Sequence, residues 1–328
     1  MSAIDTVQAA LMALAEGTSR ADLAGRAGRI SDDYRQFRPS AGVIGSRADA
    51  LAYALARMPA TLAAAETVLL EAARRAPAFA PKTVLDAGAG PGTASWAASA
   101  VWDGLEAVLF DHNPYLLGLA ADLSAAGAGG GLVVKAERGD LTGTALPSGR
   151  FDLVLASYAL TELPDTALEG LADALWSRCE GLLVLIEPGR PRDYERLLRI
   201  RARLLGQGAE MVAPCPHAHA CPIAAPDWCH FSVRLARTKA HMQIKGATLP
   251  YEDEKLSYLV LARPGVGAAP VAARVLAPVE VSKFDARLKL CSQGGLEQGA
   301  VMKRDKAAYR QVHKLSWGDG LDITPVLR

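Results

Sequence analysis

Val84-Leu85-Asp86-Ala87-Gly88-Ala89-Gly90-Pro91-Gly92-Thr93 is an apolar run that breaks into alternating glycines and resumes as the helix-forming stretch Ala94-Ser95-Trp96-Ala97-Ala98. Glycine lets the backbone turn sharply and come close to a ligand with no Cβ in the way. A helix that starts at such a turn offers N–H groups with no partner inside the helix. The stretch therefore predicts a strand, a ligand-cradling loop and a helix in succession. Its spacing is G-x-G-x-G rather than the G-x-G-x-x-G of dinucleotide folds, and an acid, Asp86, stands at the strand end. The competing reading is a dehydrogenase-like sheet whose tight turn holds no ligand.

Outward from this loop, short apolar runs alternate with helical stretches. Strands are expected at 83–87, 107–111, 131–138, 151–157 and 181–187, with helices from Thr93, from Pro114, near 165–178 and over 191–207. Near-continuous runs of this kind read as parallel strands buried on both faces, so the fold class is α/β with a doubly wound sheet. Residues 1–80 read as a helical N-terminal cap whose apolar stripe over 47–75 is interrupted at Pro59. The segment 209–230 reads as a Pro-, Cys- and His-rich loop, and 255–262 as a late strand returning to the sheet. Residues 263–270 read as a linker and the polar–apolar alternation of 271–328 as a small β-rich appendage. The expected division is 1–80, 81–262 and 263–328.

A second acid, Asp111, ends the next strand, and a third, Asp140, follows the one after. With the loop, this order resembles the Rossmann-like class of S-adenosylmethionine-dependent methyltransferases. The resemblance implies that Asp86, Gly88, Gly90, Gly92 and Thr93 hold the methionine part of the cofactor. It implies that Asp111 accepts from the ribose hydroxyls and Asp140 meets the adenine amine, with Asn113, Leu141 and Ser157 completing the set. For Asp111 alone, helix capping is the competing role.

Half the residues are hydrophobic and 22% are charged, a soluble globular composition. No run of about 20 apolar residues lacks charge, and the N-terminus has no basic-then-apolar leader, so no membrane span or secretory signal is expected and a cytoplasmic location is. The net charge of +1 hides an asymmetry. Residues 1–189 carry 14 Lys and Arg against 22 Asp and Glu, whereas residues 190–328 carry 22 against 13. A basic half beside an acidic one points to a polyanion, most simply RNA, with no DNA or membrane partner expected. A pair of solvated basic helices is the plainer alternative.

Cys215, Cys221 and Cys229 cluster within 15 residues and Cys291 follows after 61 intervening residues. Reduced clustered cysteines favour metal over disulfides. Four thiolates can close a tetrahedral zinc site or hold a 4Fe–4S cube, and the spacing does not choose. His217, His219 and His230 keep zinc open. Chance cysteines in one loop are the remaining alternative, and Cys179, in an apolar run, reads as core. The Cys-x3-Cys-x2-Cys triplet of radical S-adenosylmethionine enzymes does not occur here.

Read together, Val84–Trp96, Ser157–Leu163 (SYALTEL), Leu185–Gly189 (LIEPG), Pro214–Phe231, Arg237–Lys239, Tyr251–Tyr258 (YEDEKLSY), Cys291 and Trp317-Gly318-Asp319 resemble one family. It is that of the Rsm-type ribosomal small-subunit proteins, the methyltransferase-like assembly factors of the mitochondrial ribosome and their bacterial relatives. The resemblance spans roughly residues 35–320, and the lack of a presequence makes a bacterial member the expectation. It implies a 4Fe–4S cluster on Cys215, Cys221, Cys229 and Cys291, and binding to the small ribosomal subunit and its 16S-type rRNA during assembly.

Catalysis is left open. The Asn/Asp-Pro-Pro-aromatic signature of base-amine methyltransferases is absent from Ser157-Tyr158-Ala159-Leu160, and no cysteine nucleophile lies there. Tyr158 and Glu162 are the candidates for contact with an acceptor, against ordinary helix-start or packing roles. Three functions follow: an rRNA methyltransferase, a non-catalytic assembly factor, and a small-molecule methyltransferase with a zinc-stapled lid. The last has no use for the basic half.

Overall fold

The computed structural model describes residues 3–35, 42–143 and 145–327. Three helices come first: α1 (Ala3–Leu14), α2 (Arg20–Arg35) and α3 (Arg47–Arg75). Then strand and helix alternate as β1 (Thr83–Ala87), α4 (Thr93–Ala98), β2 (Glu106–Asp111), α5 (Pro114–Ala125), β3 (Val133–Arg138), β4 (Phe151–Ser157), a 3₁₀ turn (Leu160–Glu162), α6 (Asp165–Arg178), β5 (Cys179–Pro188) and α7 (Pro191–Gly206). The chain continues through β6 (Glu210–Ala213), β7 (Phe231–Ala236), α8 (Lys239–Lys245) and β8 (Tyr251–Ala262).

The strand order is β3-β2-β1-β4-β5-β8-β6, with β7 also pairing β8. Strands β1 to β5 are parallel and β8 runs antiparallel to β5. The order reverses beside β1, which opens a crevice at the carboxyl ends of β1 and β4. With helices on both faces and a late antiparallel strand, this is the Rossmann-like methyltransferase fold expected from the glycine loop. The strand residues fit it: β1 and β4 are Val/Leu-rich and buried on both faces.

After β8 come β9 (Ala273–Val275), β10 (Glu280–Val281), β11 (Asp285–Ser292), β12 (Gly295–Met302), α9 (Lys306–Val312) and β13 (Gly320–Leu321). The five strands form a second sheet around Val275, Leu288, Leu290 and Val301, on which Val312 of α9 packs. Residues 3–80 have no such separate core. Val7 and Leu11 of α1 and Leu51, Leu62 and Leu69 of α3 join one buried cluster with Leu109 and Val184 of the large sheet.

Two sequence expectations are corrected. Pro59 does not interrupt α3, which runs unbroken through it. Proline removes one i→i−4 bond, but α3 is buried along most of its length by α2, α4, α5 and β8, and that packing outweighs the lost bond. The segment 209–230 is not all loop, because Glu210–Ala213 forms β6 against β8. Strand β7 and helix α8 were not expected at all. The helical expectation for residues 1, 2 and 36–41 lies outside the described residues. Among the described residues no helix is long and apolar enough to cross a membrane.

Candidate functional site

A cavity of about 290 Å³ lies over the carboxyl ends of β1, β2 and β4. Asp86, Gly88, Gly90, Thr93, Asp111, Asp140, Leu141, Ser157, Tyr158 and Glu162 all line it. Gly92 and Asn113 are not among its lining residues. Gly92 (φ 79°) sits at the start of α4, where a Cβ would stand 3.0 Å from Trp96 Nε1. Asn113 caps α5, accepting from the Tyr115 and Leu116 N–H groups while its amide donates to the Ile44 carbonyl. The helix cap next to β2 is therefore Asn113, not Asp111.

Gly88 is the glycine the site most depends on. Its φ is 73°, and a Cβ there would lie 2.4 Å from Ala159 Cβ in the loop after β4. The expected free N–H groups of the loop are largely absent. Gly88 and Ala89 donate to the Phe110 carbonyl at 2.8 and 3.2 Å, Gly90 to Asp111 Oδ2 at 2.8 Å, and Gly92 to the Ala89 carbonyl at 2.8 Å. The turn folds back over the end of β2, which consumes these donors, so the cradle contributes shape and carboxylates more than backbone N–H groups.

Asp86 is 1% exposed. Its Oδ2 accepts from Ser95 Oγ at 2.8 Å and Ser95 N at 3.2 Å, while Oδ1 is buried with no partner among the described residues. Burial pushes its carboxyl up to about 7. Ser157 Oγ is likewise buried and unpartnered. Asp111 accepts from Gly90 N through Oδ2 and from Asn113 N through Oδ1, both at 2.8 Å. Asp140 stands exposed at the rim, its carboxyl held below the usual range by two bonds from Thr142.

Tyr158 adopts φ 57°, a left-handed conformation costly for a side chain of this size. Burial and the nearby Glu254 hold its hydroxyl well above the usual range, and Glu254 is itself paired with Arg57 at 3.1 Å. The loop carrying Tyr158 and Glu162 is held by Glu187, which is 1% exposed and accepts from Leu160 N and Thr161 N at 2.9 Å each. Burial and the neighbouring Asp193 push the Glu187 carboxyl up to about 8. Sequence reading assigned Glu187 no role, though an acid inside an apolar strand was a visible signal. It also missed Tyr53 and Thr61 of α3, which line the cavity. Nothing local marks them, since only packing decides which face of α3 meets the sheet.

The four cysteines also converge. Cys215, Cys221, Cys229 and Cys291 line one cavity of about 40 Å³ with Tyr194, Arg201, His217 and Arg274. Cys215 follows β6, Cys229 precedes β7, and Cys291 lies on β11 directly opposite Arg274 of β9. The Tyr194 hydroxyl is 3.2 Å from Cys221 Sγ, and His217 Nε2 is 3.5 Å from Cys291 Sγ. Burial raises the thiols of Cys215, Cys229 and Cys291, and each is raised further by neighbouring cysteines of the set, whereas the Arg274 guanidinium lowers all three. Among the described residues no three His, Cys, Asp or Glu side chains are arranged to hold a single metal ion. Neither a zinc site nor the expected four-cysteine cluster is therefore seen as a formed metal-binding group among the described residues. His219 stacks on His217 at 5.7 Å, and His230 lies between Trp228 and Trp317 with its Nδ1–H donating to the Trp228 carbonyl. Cys179 is buried in β5, apart from the set.

Solved structures with a similar chain path include the magnesium protoporphyrin IX methyltransferase of Synechocystis, at 14% identity and a TM-score of 0.41 over 71% of this chain and 90% of that one. The plantazolicin methyltransferase BpumL matches at 11% identity and a TM-score of 0.42 over 78% of this chain and 99% of that one. The fold assignment rests on the strand order. In sequence, the human mitochondrial ribosome assembly protein METTL17 is 29% identical over 298 residues, 83% of this chain and 62% of that protein. The Rsm22-cox11 tandem protein 2 of Schizosaccharomyces pombe is 26% identical over 292 residues, 72% of this chain and 38% of that one. The chain thus spans less than two thirds of the length of these relatives. The sequence pattern described as mitochondrial small ribosomal subunit Rsm22 matches residues 47–322, and on that match the chain belongs to the Rsm22 family.

Proposed function

We propose that this protein is an S-adenosylmethionine-binding, methyltransferase-like factor of small-ribosomal-subunit assembly that holds a 4Fe–4S cluster on Cys215, Cys221, Cys229 and Cys291. The observation that carries the cofactor part is Asp86, a fully buried carboxylate on the 290 Å³ cavity with one oxygen bonded to Ser95 and the other unpartnered. A buried acceptor without a donor is costly unless a ligand supplies one, and the ammonium of the methionine part is such a donor. When bound, the cofactor supplies an electrophilic methyl group on sulfur. Asp111, fixed by two backbone donors, keeps lone pairs for the ribose hydroxyls, and Asp140 with Leu141 lies where the adenine would end.

Family membership and the printed role of the human relative as a ribosome assembly protein support the ribosomal part. The excess of basic over acidic residues after position 190 suits an rRNA surface. For the cluster, the support is four thiols, three from the loop between β6 and β7 and one from β11, around one cavity, with the buried guanidiniums of Arg201 and Arg274 offsetting thiolate charge. The donor set fits a cube, in which each thiolate binds a different iron.

Anaerobic purification followed by an absorption spectrum and iron, sulfide and zinc analysis tests the cluster. A brown protein with about four irons and a broad band is expected; a colourless protein with one zinc overturns it. Calorimetric titration with S-adenosylmethionine tests the cavity, and no heat at millimolar ligand overturns that half. Co-sedimentation with small subunits, weakening steeply as salt rises, tests the ribosomal half.

A second reading, methyl transfer to rRNA, is favoured by a further cavity of about 790 Å³ that shares Tyr53, Thr61, Tyr158 and Glu162 with the first. A cofactor cavity open to a larger neighbour has room for an acceptor. Labelled methyl groups appearing on rRNA, and lost with Asp86→Ala, are the expected result. Cofactor binding without transfer to any subunit intermediate leaves the assembly role alone.

A further inference from the structure

The second sheet presents a surface that neither the cofactor cavity nor the cysteine cavity uses. Strands β11 and β12 form an antiparallel hairpin whose open end pairs Asp285 with Met302. Lys303 N donates to the Phe284 carbonyl there at 2.7 Å, so Lys283 and Phe284, just before β11, meet Lys303 and Arg304, just after β12. Helix α9 begins at Lys306, three residues on, and packs on β11 and β12. Phe284 is 63% exposed, a large ring left open to solvent, and Lys283 Nζ lies 4.7 Å from its centroid.

The charge of this end is uncompensated. Residues 281–316 carry eight Lys and Arg against three Asp and Glu. Asp285 is taken by Arg287 and Ser282, and Asp305 caps α9 through Ala308 N. Lys283, Lys303, Arg304, Lys306 and Arg310 are exposed and form no ion pair among the described residues. Several exposed arginines elsewhere are paired: Arg199 with Glu169, Arg203 with Asp173, Arg234 with Asp253. Helix α7, basic by sequence, is in this way largely neutralised by α6, whereas the hairpin end gathers several unpaired cations in one place.

We propose that this end of the second sheet binds single-stranded RNA, with a base stacked on Phe284 and phosphates held by Lys283, Lys303, Arg304, Lys306 and Arg310. Cations flanking one exposed aromatic ring match a strand that offers alternating phosphates and π-faces. A duplex offers no free base face to the ring. An acidic protein segment would satisfy the cations but gives the ring no partner. The choice of RNA rests on the ribosomal reading; the location of the surface does not.

The test is fluorescence anisotropy with the full-length protein and a labelled mixed-sequence 20-nucleotide RNA, over a series of salt concentrations. Phe284→Ala is expected to weaken binding about tenfold with little change in salt slope. Lys303→Ala with Arg304→Ala is expected to weaken binding and lower the salt slope by about 1 to 1.5. A duplex of the same length should compete poorly. All three side chains are exposed, so unchanged melting temperatures check that folding is intact. Equal binding by wild type and both variants overturns the surface. Subunit co-sedimentation, run in parallel, keeps the ribosomal reading separate: wild type that sediments with subunits but binds no RNA, with loss in the variants, makes this a protein-docking surface instead.

Discussion

Asp86 links the proposed cofactor site to stability. In the folded chain its carboxyl titrates near 7, against an ordinary 3.8. Between those values the folded state holds the extra proton, so stability contributed at low pH is lost as pH rises through the window. Asp86→Asn keeps an acceptor for Ser95 and removes the titration. The melting temperature of the ligand-free variant is therefore expected to flatten between pH 4 and 7, relative to a falling wild-type curve. The same variant should lose S-adenosylmethionine binding by calorimetry, because an amide presents an N–H where the ligand ammonium needs an acceptor. A wild-type profile without that slope would mean Asp86 is ionised throughout. Gly88 acts by absence: Gly88→Ala sets a Cβ against Ala159 at a positive φ, and a loss of roughly 1–3 kcal/mol in urea unfolding is expected.

At the scale of elements, the second sheet is held to the first by Arg274 of β9. The residue is 2% exposed and donates to Glu71 Oε1 of α3 at 2.8 Å, to the Pro214 carbonyl at 3.0 Å and to the Gly318 carbonyl at 2.9 Å. One guanidinium thus joins the N-terminal helices, the cysteine loop and the β9–β13 unit. Removing one partner of a buried pair leaves the other charge unmatched. Arg274→Met is expected to cost roughly 3 kcal/mol, at the low end of such losses because Arg75 stands 3.7 Å from Glu71. Denaturant unfolding of this variant, of Glu71→Leu and of the double variant measures the coupling; additive losses would show that the two side chains act independently. The Lys289–Asp227 ion pair and the Gln293 bond to the Pro216 carbonyl span the same junction. Lys289 and Gln293 lie on or just beyond β11, so Cys291 reaches the loop cysteines through a fixed strand.

For the whole molecule, that junction makes the cysteine cavity a joint between two sheets. Metal bound there would contribute to folding of the unit it ties down. Cys291→Ser is expected to lose iron and to raise amide exchange across 271–327, with protease cleavage appearing in 214–230. Full iron retention would remove Cys291 from the set. Much of the fold was legible because β1, β4 and β5 are buried on both faces and so read as near-continuous apolar runs, and because Gly88 can be only glycine at φ 73° beside Ala159. Helix α3 through Pro59, strand β6 and the roles of Tyr53, Thr61 and Arg274 were not legible. Local preference at Pro59 opposes the helix that tertiary burial enforces, and a four-residue strand such as β6 declares itself only when β8 lies beside it. The sequence by itself determined the order of strands and helices from β1 to α7, the acids at the ends of β1 and β2, and the four thiols. Only the tertiary structure decided that Glu71 and Arg274, 203 positions apart, form one buried ion pair, that the loop N–H groups are spent on β2, and which cations remain unpaired. Those outcomes depend on which faces meet across the core, and burial, not local sequence, settles them.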